Sequence, residues 1–206
     1  MSPRDLAEDL AYVRTIAEEG RHAPLLGGSF LVFWGVLNAA AWAVQWGLVT
    51  ERLMANPTWH FAALWAAYGV IAGVGMSLLF ARERDLPGRS SIPNKVGGTV
   101  WTAVGLAITA ISVGAIGRMI LTGDTQSVDV IVPAAFALYG AALLTTAMVS
   151  QLVWLRVYAV MALVTAIILG LYLGKDWFYL AASGASLGVL LLPGLVLLRK
   201  EPSTTV

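Results

Sequence analysis

The sequence predicts an all-α, polytopic membrane protein. It reads as a bundle of six transmembrane helices built from two-helix hairpin repeats, with a short cytoplasmic amphipathic helix in front. Three observations carry this reading. First, of 206 residues 58% are hydrophobic and 12% charged, where a soluble domain carries about 25% charged residues. Mean hydropathy is +0.77, more apolar surface than a water-soluble domain of this length can hide and foreign to disorder. Second, six apolar runs each reach the roughly 20 residues a helix needs to cross a hydrocarbon core about 30 Å thick. Third, charge avoids those runs. They hold 134 residues but only three of the 25 charged ones, Arg118, Asp129 and Arg156, all near span ends. Membrane β-strands are far shorter and alternate in polarity, which excludes a β-barrel. The net charge of +1 gives no reason to expect nucleic acid, and the absence of cysteine removes disulfides, thiol chemistry and Cys-based metal sites.

The elements follow in chain order. Residues 1–24 form a cytoplasmic arm. Ser2-Pro3-Arg4-Asp5 is a helix start, Leu6, Leu10, Val13 and Ala17 recur at helical spacing, and Gly20 is a stop. The arm is acidic, three Arg against Asp5, Glu8, Asp9, Glu18 and Glu19. An acidic helix is repelled by anionic lipid. Its apolar stripe is therefore expected on the protein's own cytoplasmic loops, where Arg82, Arg84, Arg89 and Lys95 complement it, or on a protein partner. The spans are expected at 25–49, 59–80, 98–121, 129–149, 154–173 and 177–198, with a cytoplasmic tail at 199–206. Asn56-Pro57, Pro93, Ser127 and Asp176 precede spans two, three, four and six as helix-start residues. Between spans four and five no Gly or Pro marks the turn. Residues 129–173 as one helix would nonetheless extend about 68 Å, so they must fold back.

Lys and Arg placement sets the orientation. The arm, the second and fourth loops and the tail carry ten of these residues, whereas Arg52, Arg118 and Lys175 lie on the other side. Both termini are thus expected in the cytoplasm. Trp46, Trp59 and Trp177 at outer span ends and Trp101 and Trp154 near inner ends suit interface anchors. The first apolar run begins only at residue 25 and no small-residue cleavage site follows it, so no removable signal peptide is expected.

An internal repeat underlies the spans. Gly27-Gly28-Ser29 matches Gly97-Gly98-Thr99 at an offset of 70, and Gly35 and Gly47 fall on Gly105 and Gly117. At an offset of 71, Trp65-Ala66-Ala67-Tyr68-Gly69 faces Phe136-Ala137-Leu138-Tyr139-Gly140. Two-helix units return to their starting side, so such copies are parallel. Small residues make ribbons along the helices: Gly35, Ala39, Ala43 and Gly47 in span one, Gly69, Gly73 and Ser77 in span two, Gly184 and Gly188 in span six. Lipid supplies little hydrophobic drive between helices, so close approach through these ribbons is expected to hold the bundle, or to form a dimerisation face. Pro193-Gly194 predicts a kink or early unwinding in span six.

Few residues offer chemistry. His22 and His60 lie on opposite membrane sides and cannot share a haem or a metal. No span carries Asp or Glu near its centre, which argues against a proton- or sodium-driven pump. No nucleophilic triad, phosphate loop or metalloprotease motif stands in a suitable context, so neither enzymatic activity nor a cofactor is expected. Four polar features remain. Asn38 in mid-span one and Gln45 nearer the outside suit interhelical hydrogen bonds, with substrate contact as the alternative. Arg118, followed by Asp124 and Asp129, suits a snorkelling salt bridge, with an outward anion mouth as the alternative. Thr102, Thr109, Ser112, Thr145 and Thr146 either line a polar seam or bond their own helices.

Asp9-Leu10-Ala11-Tyr12-Val13-Arg14, Glu18-Glu19-Gly20, Phe33-Trp34-Gly35 and Leu192-Pro193-Gly194 through Arg199-Lys200-Glu201-Pro202 resemble a group of small bacterial six-span membrane proteins of uncharacterised role. The glycine-rich hairpins are also similar to enterobacterial acid-resistance membrane proteins built from three two-helix repeats. The resemblance implies a bacterial cytoplasmic membrane and brings no activity. The expectation is a non-enzymatic bundle acting through helix contacts, as an accessory or regulatory subunit or a homo-oligomer. A small-solute channel or transporter is the alternative, and a lipid-acting enzyme a distant third.

Overall fold

A computed structural model describes residues 24–54, 58–84 and 86–201. The cytoplasmic arm expected at 1–24, with His22, and the last five residues of the tail lie outside the described residues apart from Pro24. Within them the chain is all-helical, with no strand. The helices are α1 (Gly28–Val49), α2 (Thr58–Glu83), α3 (Ile92–Thr122), α4 (Ile131–Val149), α5 (Leu155–Leu171), α6 (Phe178–Ser186) and α7 (Leu192–Leu198). A 3-10 turn, Thr125–Val130, leads into α4, and a π-helical turn, Leu187–Leu191, joins α6 to α7 as one continuous rod. Five of these helical stretches are long and apolar enough to cross a membrane; the sixth, Leu155–Leu171, is a shorter apolar helix of 17 residues.

Several boundaries depart from the apolar runs, for local reasons. α1 starts at Gly28 because Gly27 takes φ 107, a left-handed conformation that only glycine adopts freely. α3 starts at Ile92, well before the apolar run at 98, so Pro93 sits in its first turn, where a missing N–H costs nothing. Asp129 lies in the 3-10 turn, not in an α-helical span. Its cap is Asp124, which accepts from the Gln126 N–H. Between α4 and α5 the reversal is made by Gln151, a non-glycine residue at φ 58. α5 stops at Leu171, where Tyr172 leaves the helical region and left-handed Gly174 follows.

α1 occupies the middle. It packs against α2 on one side and along the α6–α7 rod on another. α4 packs on α3 and α5, and α5 on the π turn. The contact between α1 and the rod is backbone-close: a Cβ on Gly35 would lie 2.6 Å from the Leu191 nitrogen, and one on Gly194 2.7 Å from the Val32 nitrogen. A Cβ on Gly28 would strike the Leu198 nitrogen. In a bilayer such approach stands in for hydrophobic drive. The irregular turn lies just before Pro193, whose ring opposes the preceding carbonyl and which cannot donate; a π turn absorbs that misfit.

Side chains tie the helix ends near Gly28, Asn94 and Glu201 together. Asn94, at the start of α3, accepts from the Leu26 N–H at 2.8 Å and donates to the carbonyls of Pro24 and Gly88 at 2.9 Å each. Glu201 accepts from the Gly28 N–H at 2.6 Å. The packed interior joins Leu31 of α1 to Phe136 and Leu143 of α4, Leu155 and Ala159 of α5, and Phe178 and Leu190 of the rod. α2 stands at the periphery, where none of its described side chains is buried.

Candidate functional site

The polar groups of the bundle converge on one face of α1. Asn38, Trp42 and Gln45 are spaced four and then three residues apart, which stacks them along one helical face. Asn38 is buried and bridges two neighbours. Its Oδ1 accepts from the Tyr68 hydroxyl of α2 at 2.7 Å, and its Nδ2 donates to the Tyr139 hydroxyl of α4 at 3.2 Å. Gln45, also buried, accepts from the Trp65 indole at 3.2 Å and faces the Tyr179 hydroxyl. Tyr179 in turn donates to Asp129, which is buried in the 3-10 turn before α4. Ser183 of α6 donates to the Ala39 carbonyl at 2.7 Å.

Aromatic rings fill the space between these bonds. Trp42 stacks on Tyr179 with centroids 5.7 Å apart and meets Trp65 edge-on at 5.0 Å. Tyr68 lies against Trp65 and Trp34, and Tyr139 against Phe136 and Trp101. An unpaired amide or hydroxyl in hydrocarbon costs several kcal/mol. Here Asn38, Gln45, Trp65, Tyr68 and Tyr139 each have a partner on another helix, and with Ser183 on the Ala39 carbonyl the cluster links four helices. Chemically, it can hold helices in register. Among the described residues no three of His, Cys, Asp and Glu come together as a metal would need.

The other sequence-derived residues fall elsewhere. Arg118 and Asp124 meet at the C-terminal end of α3, with Arg118 Nε 3.6 Å from Asp124 Oδ2. Arg118 Nε also donates to the Ser127 hydroxyl at 3.1 Å, and Ser127 donates to Asp124 at 2.9 Å. The Ser127 hydroxyl, then the Gln126 N–H and Arg118, hold the Asp124 carboxyl below the usual carboxylate range. Asp129 turns away from this trio toward Tyr179. Thr102, Thr109 and Thr145 donate to the carbonyls of Gly98, Gly105 and Ala141 in their own helices, and all three groups are solvent- or lipid-facing.

The packing glycines divide similarly. Gly35 touches the rod, whereas Gly47 is covered by Leu53 of its own loop, whose N–H bonds the Gly47 carbonyl. A Cβ at Gly69, Gly73 or Gly184 would meet nothing within 4 Å among the described residues, and one at Gly188 only Met161, at 3.9 Å. Gly140, which lies 71 residues after Gly69, is by contrast pressed against Ala159 and Leu163 of α5.

No protein-family model, curated protein or solved structure matches the chain.

Sequence reasoning singled out Asn38 and Gln45 but not Trp65, Tyr68, Tyr139 and Tyr179, which complete the cluster. A signal was present for two of them. Tyr68 and Tyr139 are the matched tyrosines of the 71-residue offset, and both bond the same amide. Gly28 and Gly194 were likewise noted for repeat and kink rather than for close packing.

Proposed function

We propose that this protein is a non-enzymatic, six-span membrane protein that works through helix contacts, as a homo-oligomer or as an accessory subunit of a membrane complex. The observation that carries the proposal is a contrast. The interior polar side chains of α1 are spent on one another, as Asn38 is on Tyr68 and Tyr139, while α2 turns Gly69, Gly73 and Ser77 outward. A bundle whose Asn38 is internally satisfied and whose α2 leaves a small-residue face unfilled is suited to contact rather than to turnover. α5 is counted as the sixth span: its 17 residues reach about 26 Å, enough when flanking residues lie at the interface. The ten-to-three partition of Lys and Arg supports a cytoplasmic location for both termini in this proposal.

The alternative, a small-solute channel or transporter, has less support, because Asn38 is already bonded twice and Thr102, Thr109 and Thr145 bond their own carbonyls. Native mass spectrometry from mild detergent, combined with in-membrane cross-linking, tests the proposal. Complexes larger than one chain, weakened by Gly69→Leu, are expected. A strictly monomeric chain with no cross-linked neighbour would sink it, and solute flux in proteoliposomes would favour the alternative.

A further inference from the structure

The C-terminal end of α3 carries a second arrangement, separate from the Asn38 cluster. Beside the Arg118–Asp124 pair opens a cleft of about 500 Å³. Its lining includes Arg118 and Asp124 together with the apolar Ile111, Gly114 and Leu173. From Gly98 the helix needs roughly 20 residues to cross the hydrocarbon, which brings Arg118 to headgroup level. Ile111, seven residues earlier, then lies about 10 Å deeper, at the level of the acyl chains. A Cβ at Gly114 would meet nothing within 4 Å among the described residues, so the cleft is open there.

The Arg118–Asp124 pair is preorganised. Arg118 is held through Nε by Ser127 and Asp124, and its two terminal nitrogens have no hydrogen-bond partner among the described residues. That outer edge of a guanidinium is the one that takes phosphate oxygens in a forked pair. Asp124 stands beside it, ionised and partly exposed, with its side chain 41% accessible. One fixed cation next to one fixed anion repels a free dianion and gives a second negative headgroup group nothing to bind. It matches a ligand that carries phosphate and ammonium side by side.

We propose that this cleft is a binding site for a zwitterionic phospholipid with a primary-ammonium headgroup. The phosphate lies on the free edge of Arg118, the ammonium donates to Asp124, and the first acyl segment lies over Gly114 and Ile111. Both side chains stand at the protein surface and bury no packing partner, so Arg118→Gln and Asp124→Asn are compatible with folding.

The test is lipid binding to delipidated protein in mild detergent, read by native mass spectrometry with phosphatidylethanolamine, phosphatidylcholine, phosphatidylglycerol and inorganic phosphate as separate probes. The unaltered protein is expected to prefer phosphatidylethanolamine over phosphatidylglycerol by about tenfold. Phosphatidylcholine, which has no N–H to donate, should bind more weakly. Arg118→Gln should lower binding of every lipid by about tenfold, and Asp124→Asn should abolish the preference over phosphatidylglycerol. Unchanged thermal melting of both variants would locate these losses in the site rather than in the fold. Wild-type lipid profiles in both variants, a preference for phosphatidylglycerol in the unaltered protein, or displacement of lipid by inorganic phosphate would each overturn the proposal.

Discussion

Asn38 illustrates how much a single amide does inside a bilayer. Its two hydrogen bonds reach α2 and α4 and so tie both helices to α1. Interhelical hydrogen bonds in membranes average about 0.6 kcal/mol and reach about 1.7. Asn38→Ala should therefore destabilise the bundle by about 1–3 kcal/mol in a denaturant titration in detergent, since it also orphans two tyrosine hydroxyls. Tyr68→Phe should cost about half as much, and the double variant less than the sum, because both changes remove one shared bond. Additive losses would mean that the pair does not act as a unit. Glycines give the complementary test. Gly35→Leu forces a side chain into the Leu191 backbone and should cost about 1–3 kcal/mol, whereas Gly69→Leu should leave monomer stability within about 0.5 kcal/mol. Their sequence context is alike, both being members of small-residue ribbons. Only the neighbour across the gap distinguishes them, and a ribbon pattern says nothing about which neighbour arrives.

At the level of elements, local signals located the helices better than they placed their ends. Apolar length found every helix, because the hydrocarbon thickness sets a minimum that short-range composition reveals. The ends were decided by capping and backbone geometry: left-handed Gly27, the Asp124 cap, the Pro93 first turn and the positive φ of Gln151. The α3 start also acts as a clamp. Asn94 holds the segment before α1 through three hydrogen bonds, so it couples two helices 68 residues apart in sequence. Asn94→Ala should raise amide exchange at Leu26 and leave the α4–α5 amides unchanged. Equal protection of Leu26 in both proteins would show that the clamp is redundant. The rod formed by α6, the π turn and α7 is a similar case. Pro193 announces an irregularity, yet the register that sets Leu191 against Gly35 depends on how the two helices cross.

For the whole molecule, topology is the property most open to direct measurement. The chain has no cysteine, so single introduced thiols report without background. Ser90→Cys should react with a membrane-impermeant maleimide only after permeabilisation, and Asp176→Cys in intact cells. The reverse pattern would invert the orientation proposed here. By itself the sequence determined the solvent, the helical class and the places where polar groups must find partners, because hydropathy, charge avoidance and span length act within one segment at a time. The 71-residue offset pairs Tyr68 with Tyr139 in sequence without showing that both hydroxyls bond Asn38. The tertiary structure alone decided which glycines are filled and which stand open, and that Asp129 turns to Tyr179 while Asp124 keeps Arg118. Those outcomes depend on helix crossing and rotation, which arise from the sum of contacts between distant segments and leave no periodic trace in any one of them.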